Sequence, residues 1–485
     1  MQSRYGSYPM PASRCLPSSF MLALASLLVL VSGAADAVPS FNRQTGQNCV
    51  ACHAGGQFPD LTPYGRLFKL TGYTIGERAF PLAAMGVASY TKTRNTNDPF
   101  GDQGADFPKD GNFIFQTGSV FLAGKITDNV GGFVQVTYNN YDHQDENGHW
   151  VGHWVSDNMD FRYADRWIDP KNDLIFGITA NNNPSVQDVW NSAPAWAFNV
   201  VPGSSGPPVT PILAGGLAAN VAGAGPYIFW DRTLYAEVSA YRTADKIWSF
   251  MSQGMNTTRG DQQILKGANP YWRIALSHEW GAHSAMIGLM GLDASVYPDA
   301  TDPTGPTNRF RDVAVDAQYQ YLLDPHAVTL TLSYMHEKID YADTVANQPT
   351  ELQDASGNPL PLQLTNSRDT VNMFRAKLSY VYRAKYGGTL SYFDVTGSTN
   401  TLNQTSGVDP ITGEPVGTPV AGNLSGNPST RGATVEIFWL PVQYVRVGLQ
   451  YTAFDKFNGA RSNYDAFGRN ARDNNTVLFY VWGAY

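Results

Sequence analysis

Two cysteines and a histidine near the N-terminus have the spacing of a haem-attachment site. Cys49, Cys52 and His53 form a Cys-x-x-Cys-His motif, which is the attachment sequence for c-type haem. Residues three apart on a helical turn share a face, so both thiols can add to the vinyl groups of one porphyrin. His53 then lies where its imidazole can take an axial position on the iron. The motif therefore predicts one covalently attached haem c.

Other uses of the cysteine pair are a disulfide, redox-active or structural, and a zinc site. The chain has three cysteines, and Cys15 lies in the N-terminal leader described below. Zinc requires four nitrogen or sulfur ligands, and no second cysteine pair exists to supply them. The motif thus favours haem over zinc, and a disulfide remains the alternative for the two thiols.

The first 37 residues are typical of a cleavable signal peptide. Arg4 and Arg14 supply positive charge, residues 20–31 form an apolar run, and Ala-Asp-Ala at residues 35–37 is a small-x-small cleavage site. No later stretch reaches the roughly 18 apolar residues that a transmembrane helix needs. We therefore expect an exported protein that can enter a membrane only as a β-barrel.

The overall composition excludes one class of partner and favours another. A formal charge of −8 excludes the basic surface typical of nucleic-acid binding. Charged residues make up only 15% of the chain and aromatic residues 13%, whereas soluble proteins are about 25% charged. This deficit of charge favours a large surface in contact with outer-membrane lipid.

Residues 38–83 are predicted to form a small helical unit around the haem. Thr62 is a typical helix N-cap and Pro63 a typical first helical residue, and Gly72 ends this helix. A unit of this size is near the lower limit for independent folding. We therefore expect it to lean on the larger domain that follows, residues 84–485.

Several side chains in or near this unit could contact the haem. Met85 is the candidate for the sixth iron ligand, because a thioether raises the haem potential relative to a second histidine. Its alternative role is ordinary packing at the start of a strand. Aromatic side chains could pack on the ring, and basic ones could pair with its propionates or lie on a solvated face. These candidates are Arg43, Tyr64, Arg66, Phe68 and Lys69.

Residues 84–485 have the pattern of a transmembrane β-barrel. Short segments alternate apolar and polar residues, as residues 445–451 do, which fits strands between lipid and a polar lumen. Eight long loops alternate with seven short turns if a turn at residues 243–245 divides one long segment. The pattern therefore predicts an all-β fold of about sixteen antiparallel strands, ending with residues 476–485 and with both termini in the periplasm.

Two of the long loops carry almost no charge. Residues 182–227 contain Asp188 alone, and residues 398–430 contain only Asp409 and Glu414. Neutral loops keep their character in strong acid, where carboxylates become protonated. We interpret this composition as a hint of an acidic exterior.

The N-terminal segment resembles a known family. Residues 39–46 (Pro-Ser-Phe-Asn-Arg-Gln-Thr-Gly), the haem motif at residues 49–53, and residues 61–73 (Leu-Thr-Pro-Tyr-Gly-Arg-Leu-Phe-Lys-Leu-Thr-Gly-Tyr) carry the resemblance. They resemble the fused monohaem cytochrome-porins, the outer-membrane iron oxidases of acidophilic iron-oxidising bacteria. The likeness extends to residues 181–198, and over the remaining chain it is one of length and barrel architecture.

The resemblance implies both a fold and an activity. The family has a sixteen-stranded barrel with the haem unit tucked into it. Its members are oxidoreductases that oxidise Fe(II) at the outside and deliver the electron to periplasmic carriers, a rusticyanin-like blue copper protein or a c-type cytochrome. For this chain, the resemblance implies one haem c, ferrous iron as substrate and a location in the outer membrane.

A segment rich in metal-ligating residues could receive the iron. Hard carboxylate ligands suit Fe(II), and residues 142–157 gather six acidic or histidine side chains in a predicted external loop. These are Asp142, His143, Asp145, Glu146, His149 and His153. The alternative is an ordinary polar loop, since protonated histidines bind metals poorly.

Two other functions are compatible with this sequence. A solute porin could carry the haem segment as a structural or gating plug, and a lumen open past the plug would favour it. An outward electron conduit to an extracellular acceptor would use the same motif, and only the haem potential separates it from an iron oxidase.

Overall fold

A computed structural model of the chain describes ten segments. They are residues 39–56, 60–95, 112–144, 150–192, 206–252, 263–347, 349–350, 363–404, 422–465 and 468–485. The predicted signal peptide lies outside these residues. Among the described residues, no helix has the length and apolar character to cross a bilayer.

Sixteen antiparallel strands close into a barrel, which confirms the predicted fold. The barrel strands are β1 (Leu82–Thr93), β2 (Asn112–Lys125), β3 (Val130–Gln144), β4 (Trp150–Ile168), β5 (Asp173–Asn181), β6 (Val221–Trp230), β7 (Leu234–Thr243), β8 (Asn269–Trp280), β9 (His283–Val296), β10 (Asn308–Leu323), β11 (His326–Asp340), β14 (Arg368–Tyr382), β15 (Tyr386–Gly397), β16 (Thr430–Val442), β17 (Val445–Lys456) and β18 (Thr476–Ala484). Two two-residue strands, β12 (Pro349–Thr350) and β13 (Gln363–Leu364), pair outside the barrel sheet. The last strand closes the barrel against the first, with Met85 opposite Ala484.

Strand β8 shows why the sequence folds with polar residues inside. Trp272, Ile274 and Leu276 are 36%, 50% and 53% exposed on the outer face. Tyr271 and Arg273 alternate with them and are fully buried on the lumen side. An apolar outer face and a polar interior are the pattern of a barrel surrounded by lipid.

The two ends of the barrel differ. Seven short turns lie at one end, here called the turn end, and eight longer connections lie at the other, the loop end. The prediction of a turn at residues 243–245 was wrong, because the chain reverses at residues 231–233 instead. Asp231 and Arg232 adopt left-handed backbone angles there (φ 48° and 54°), a conformation that favours tight hairpins but that this sequence does not signal with glycine.

The predicted loop at residues 142–157 is also shorter than expected. Strand β3 extends to Gln144 and β4 begins at Trp150, so only residues 145–149 connect them. Most of the predicted loop therefore forms the ends of these two long strands.

The N-terminal unit lies inside the turn end of the barrel. It comprises helices α1 (Pro39–Thr45), α2 (Cys49–Cys52) and α3 (Pro63–Leu70), with a 3₁₀ turn at Ala54–Gly56. Gln44 accepts a 2.8 Å hydrogen bond from the backbone of Lys125 on β2, and the Tyr73 hydroxyl donates to Asp160 on β4 at 2.6 Å. The unit thus contacts the inner wall directly.

The loop that follows β5 also folds into the lumen. Asp188 and Trp190 are at most 1% exposed, and Arg273 of β8 lies 3.6 Å from the Asp188 carboxylate and over the Trp190 ring. Leu213 packs in the same interior, and its backbone N–H donates to Asp312 on β10 at 2.8 Å. Described residues of this loop are therefore buried in the lumen, which offers a reason other than an acidic exterior for its neutral composition.

Candidate functional site

The haem-attachment motif begins with one turn of helix at the turn end. The His53 backbone N–H donates to the Cys49 carbonyl at 2.8 Å, and both cysteines are free thiols rather than a disulfide. Burial, and secondarily Cys49, raises the pKa of Cys52 to about 11. The Cys49 thiol lies 3.4 Å from the Gln443 side chain in the turn between β16 and β17. The motif therefore sits against the barrel wall, and the Cys52 thiol is protonated.

His53 has an unsatisfied ring nitrogen. Nδ1 is buried and forms no hydrogen bond among the described residues. Burial lowers the pKa of His53 to about 4, although Asp60 opposes this shift. The imidazole is therefore neutral, which is the form that binds metals.

Helix α3 holds the motif in place from one side. The Thr62 side chain caps the helix by accepting from Gly65 N at 3.1 Å, and Thr62 N donates to the Cys52 carbonyl at 2.9 Å. A Cβ at Gly65 would overlap that same carbonyl oxygen. The Thr-Pro cap predicted from sequence thus positions Cys52 as well as the helix.

A cavity of about 360 Å³ lies beside the motif, between the N-terminal unit and the inner wall. Ligand sites are concave, mostly apolar and usually several hundred Å³ in volume. The cavity brings together six of the residues selected from sequence. They are Cys49, Cys52, His53, Phe68, Lys69 and Met85.

Aromatic side chains that the sequence analysis missed form one side of the cavity. Phe41 packs on Phe68 with ring centroids 4.9 Å apart, on Tyr73 at 5.5 Å, and on Phe133 of β3 at 6.5 Å. Phe121 of β2 completes this group, 5.7 Å from Phe133. Phe41 and Tyr73 fall within the segment that carries the resemblance, but Phe121 and Phe133 have no local signal because only barrel closure brings them here.

Met85 lies on the cavity wall in strand β1. It is half-buried, and its Sδ accepts a 3.3 Å hydrogen bond from the Trp482 indole of β18. Trp482 also lines the cavity. Strand pairing between β1 and β18 thus fixes the Met85 thioether within the same cavity as His53.

Three of the predicted haem contacts lie elsewhere. Arg43 is exposed and donates to the Leu82 and Phe80 carbonyls at 2.5 and 3.2 Å. Arg66 is buried and donates to Gln320 at 3.0 Å and Ser284 at 2.9 Å on the inner wall. Tyr64, also outside the cavity lining, is half-buried. Arg66 therefore anchors the N-terminal unit to the inner wall.

Lys69 is the one charged side chain among the described residues that line the cavity. Its Nζ donates to the Val186 carbonyl of the loop inside the lumen. Burial, followed by repulsion from Arg162, lowers the pKa of Lys69 to about 8 despite the carboxylates nearby. Lys69 is therefore the remaining candidate for a propionate contact, together with the polar amides of the wall.

Three of the six candidate iron ligands lie on strands rather than in a loop. Asp142 and His143 belong to strand β3 and His153 to strand β4, whereas Asp145, Glu146 and His149 lie outside the described residues. In the part of the chain that the structure describes, no three His, Cys, Asp or Glu side chains form a metal-binding group. Within those residues, the zinc alternative for the cysteine pair finds no ligand set.

The site residues fit a c-type haem on their own chemistry. Two free thiols three residues apart, a neutral histidine with an unpartnered buried nitrogen, and a thioether border one largely apolar cavity. Cys49 and Cys52 would hold the porphyrin and His53 would bind its iron, and the Met85 thioether borders the same cavity.

Comparisons with known proteins find similarity in fold only. No known family profile and no curated protein sequence matches the chain. OmpF of Salmonella typhi, solved in complex with daunomycin, is 11% identical with a TM-score of 0.45, over 83% of this chain and 97% of that one. The outer-membrane channel DcaP of Acinetobacter baumannii is 14% identical with a TM-score of 0.43, over 83% and 96%.

The anion-selective porin from Comamonas acidovorans is 10% identical with a TM-score of 0.40, over 83% and 99% of the two chains. These similarities are low, so the fold assignment rests on the strand pairing and the apolar outer face described above. On those grounds, the chain is a porin-like, sixteen-stranded antiparallel barrel of the outer-membrane type.

Proposed function

We propose that this protein is an outer-membrane c-type cytochrome that oxidises extracellular Fe(II) to Fe(III) and passes the electron to periplasmic carriers. The observation that carries the proposal is the cavity shared by Cys49, Cys52, His53 and Met85 inside the lumen. A single redox centre placed there would lie inside the barrel, and the apolar band of a barrel of this type is about 25 Å tall. No chain of further cofactors is then needed.

The residues of the cavity have separate tasks. When attached, the haem would supply one-electron acceptor and donor chemistry. His53 offers a neutral nitrogen, and the packed rings of Phe41 and Phe133 exclude water from one side. Fe(II) loses one electron on the side of the cavity that faces the loop end, and it leaves as Fe(III) without crossing the membrane.

The turn end offers a place for the electron to leave. Gln47 and Asn48 are exposed and line the cavity, and Val50 is 46% exposed beside Cys49. A small blue copper protein or c-type cytochrome could approach the haem edge here. This interpretation places the turn end and both barrel termini in the periplasm.

A spectroelectrochemical titration at acid pH, followed by addition of Fe(II) as the only reductant, tests the proposal. We expect a strongly positive midpoint and rapid reduction of the wild-type protein. A matched Cys49→Ala/Cys52→Ala protein, in which the barrel strands are unchanged, should show no covalent haem and no reduction. Haem-intact protein that Fe(II) does not reduce would exclude the iron oxidase, and a negative midpoint would favour an outward conduit.

The porin-like fold itself favours a second candidate, a solute channel in which the haem unit is a plug. Inner-wall residues near the cavity are polar, including Ser119, Gln135 and Thr137. Conductance across planar bilayers distinguishes the two functions. Steady solute flux through haem-intact protein, without reduction by Fe(II), would replace the cytochrome with the porin.

A further inference from the structure

The sheet between β3 and β4 contains an irregularity next to the cavity. Val134 pairs with Met159 and Val136 pairs with Ser156, so two residues of β4, Asp157 and Asn158, face one residue of β3. This is a β-bulge, a feature that redirects side chains and is common beside functional sites. Here it presents a carboxylate and an amide to the lumen from adjacent positions.

The bulge is the centre of a group of oxygen-bearing side chains. Thr137 donates to one Asp157 oxygen at 2.8 Å, and Asn158 donates to the other at 2.8 Å and to Gln135 at 3.1 Å. Ser119 of β2 accepts from Gln135 at 3.2 Å. Three adjacent strands thus hold these groups in one connected network, here called the oxygen network.

The oxygen network borders the haem cavity on the side toward the loop end. Gln135 and Asn158 line the cavity. Thr137 lies further along β3 toward the loop end than Gln135, as the direction of that strand requires. A solute that enters from the loop end and moves down this wall meets the oxygen network before the haem motif.

Asp157 is the negative charge of this network. Its carboxylate receives hydrogen bonds from Thr137 and Asn158 and forms no ion pair with the described residues. Two other lumen carboxylates are paired with cations: Asp160 with Arg162 at 2.8 Å and Glu436 with Arg446 at 2.8 Å. No cation among the described residues therefore competes with a ligand for the Asp157 carboxylate.

We propose that the oxygen network is the Fe(II) site, with Asp157 as its anionic ligand. Carboxylate, amide and hydroxyl oxygens and water suit hard divalent cations. Several carboxylates would bind the product, Fe(III), tightly. A site with a single carboxylate therefore limits affinity for the product. The inference rests on the proposed function for the identity of the cation, but not for the existence of the site.

His153 extends this site toward the exterior. Thr137 pairs with Val155, and Asn139 pairs with His153, so His153 lies on the lumen face four residues from Asp157. Of the six metal-ligating residues selected from sequence, it is the one whose side chain the structure describes on this wall. It precedes the oxygen network on the path from the loop end.

Asp157→Asn tests the site, because it removes the charge and keeps the shape. Asp165→Asn is the matched control, since Asp165 is exposed on the same strand, eight residues away. Binding of Mn(II) to haem-intact protein is measured by electron paramagnetic resonance. We expect at least a tenfold loss of Mn(II) affinity in Asp157→Asn and wild-type affinity in Asp165→Asn.

The second readout is the rate of haem reduction by Fe(II). We expect Asp157→Asn to lower the second-order rate at least tenfold while the midpoint potential and reduction by dithionite stay unchanged. If wild-type protein binds Mn(II) but Fe(II) does not reduce it, the proposed function fails and the cation site stands. If wild-type protein is reduced and Asp157→Asn matches it in both measurements, the site is overturned.

Thr137→Val provides a second test if Asp157→Asn does not assemble. It removes the hydroxyl that orients Asp157 and leaves the charge in place. We expect a loss of Mn(II) affinity of roughly tenfold, in proportion to one hydrogen bond to a charged group. Unchanged Mn(II) binding in a folded, haem-stained Thr137→Val protein would contradict the site.

Discussion

Asp60 and Lys377 form an ion pair across 317 residues of sequence, with both carboxylate oxygens 2.9 and 3.0 Å from Nζ. Asp60 belongs to the N-terminal unit, and Lys377 belongs to strand β14 on the inner wall. Together with Arg66 of helix α3, which donates to Gln320 of β10 and Ser284 of β9, the pair fixes the haem motif inside the lumen. The position of the proposed redox centre therefore depends on charges that the barrel supplies.

Removal of Lys377 should loosen the N-terminal unit. We expect Lys377→Met to cost about 1–3 kcal/mol of docking free energy, because a charged hydrogen bond to a mostly buried carboxylate is lost. The cost stays below that of a fully buried pair because the Lys377 side chain is 28% exposed. Hydrogen exchange over residues 60–73 should accelerate, while Lys385→Met in the exposed turn should leave it unchanged. Equal protection in both variants would mean that the ion pair does not hold the unit.

Gly65 should be required for haem attachment. A Cβ at this position would overlap the Cys52 carbonyl, so Gly65→Ala should push helix α3 away from the motif and lower the yield of haem-stained protein several-fold. Gly483→Ala is the control, since a Cβ at Gly483 would meet no atom within 4 Å. Haem stain per assembled barrel, read from heat-dependent gel mobility, measures the effect. Full attachment in Gly65→Ala would show that the helix and motif can separate without consequence.

Met85 should control the haem potential if it is the sixth ligand. Met85→Leu keeps the volume and removes the thioether, so the midpoint should fall by roughly 0.1 V or more, within the 0.8 V range that axial ligands span. The ligand-field spectrum should change at the same time. Met286→Leu, a buried methionine away from the cavity lining, should change neither. An unchanged potential and spectrum in Met85→Leu would leave Met85 as a packing residue beside Trp482.

The sequence predicts the barrel better than it predicts what fills it. Period-two alternation is local, so strands such as β17 and the closing strand β18 could be recognised and counted. The reversal at Asp231 could not, because its left-handed residues are not glycine or asparagine. Loop residues such as Trp190 fold inward through partners distant in sequence, including Arg273.

The candidate site divides in the same way. Cys49, Cys52 and His53 could be identified because attachment chemistry fixes their spacing. Asp157 could not, because its lumen position depends on a bulge in the pairing of β3 with β4. Registers of this kind are set by the whole sheet and leave no mark in a single strand.

Lys69 should make the free energy of unfolding depend on pH. The effect of removing its charge should show whether a haem propionate lies beside it. Its pKa falls from 10.5 to about 8 on folding, mainly through burial. A cation with a depressed folded pKa destabilises the fold below pH 8, and this cost declines as the pH rises and vanishes above pH 10.5. Removing the charge should therefore raise the free energy of unfolding by roughly 3 kcal/mol below pH 8. Losing the hydrogen bond to Val186 should lower it by about 1 kcal/mol.

Lys69→Met in the Cys49→Ala/Cys52→Ala background should thus raise the free energy of unfolding by about 2 kcal/mol at pH 6 and lower it slightly above pH 10.5. Urea titrations followed by tryptophan fluorescence measure both values. With haem attached, a propionate beside Lys69 would raise its pKa and reverse the sign at pH 6, so Lys69→Met would then destabilise the protein. The same stabilisation with and without haem would show that no propionate lies near Lys69, which would leave the wall amides to bind those carboxylates.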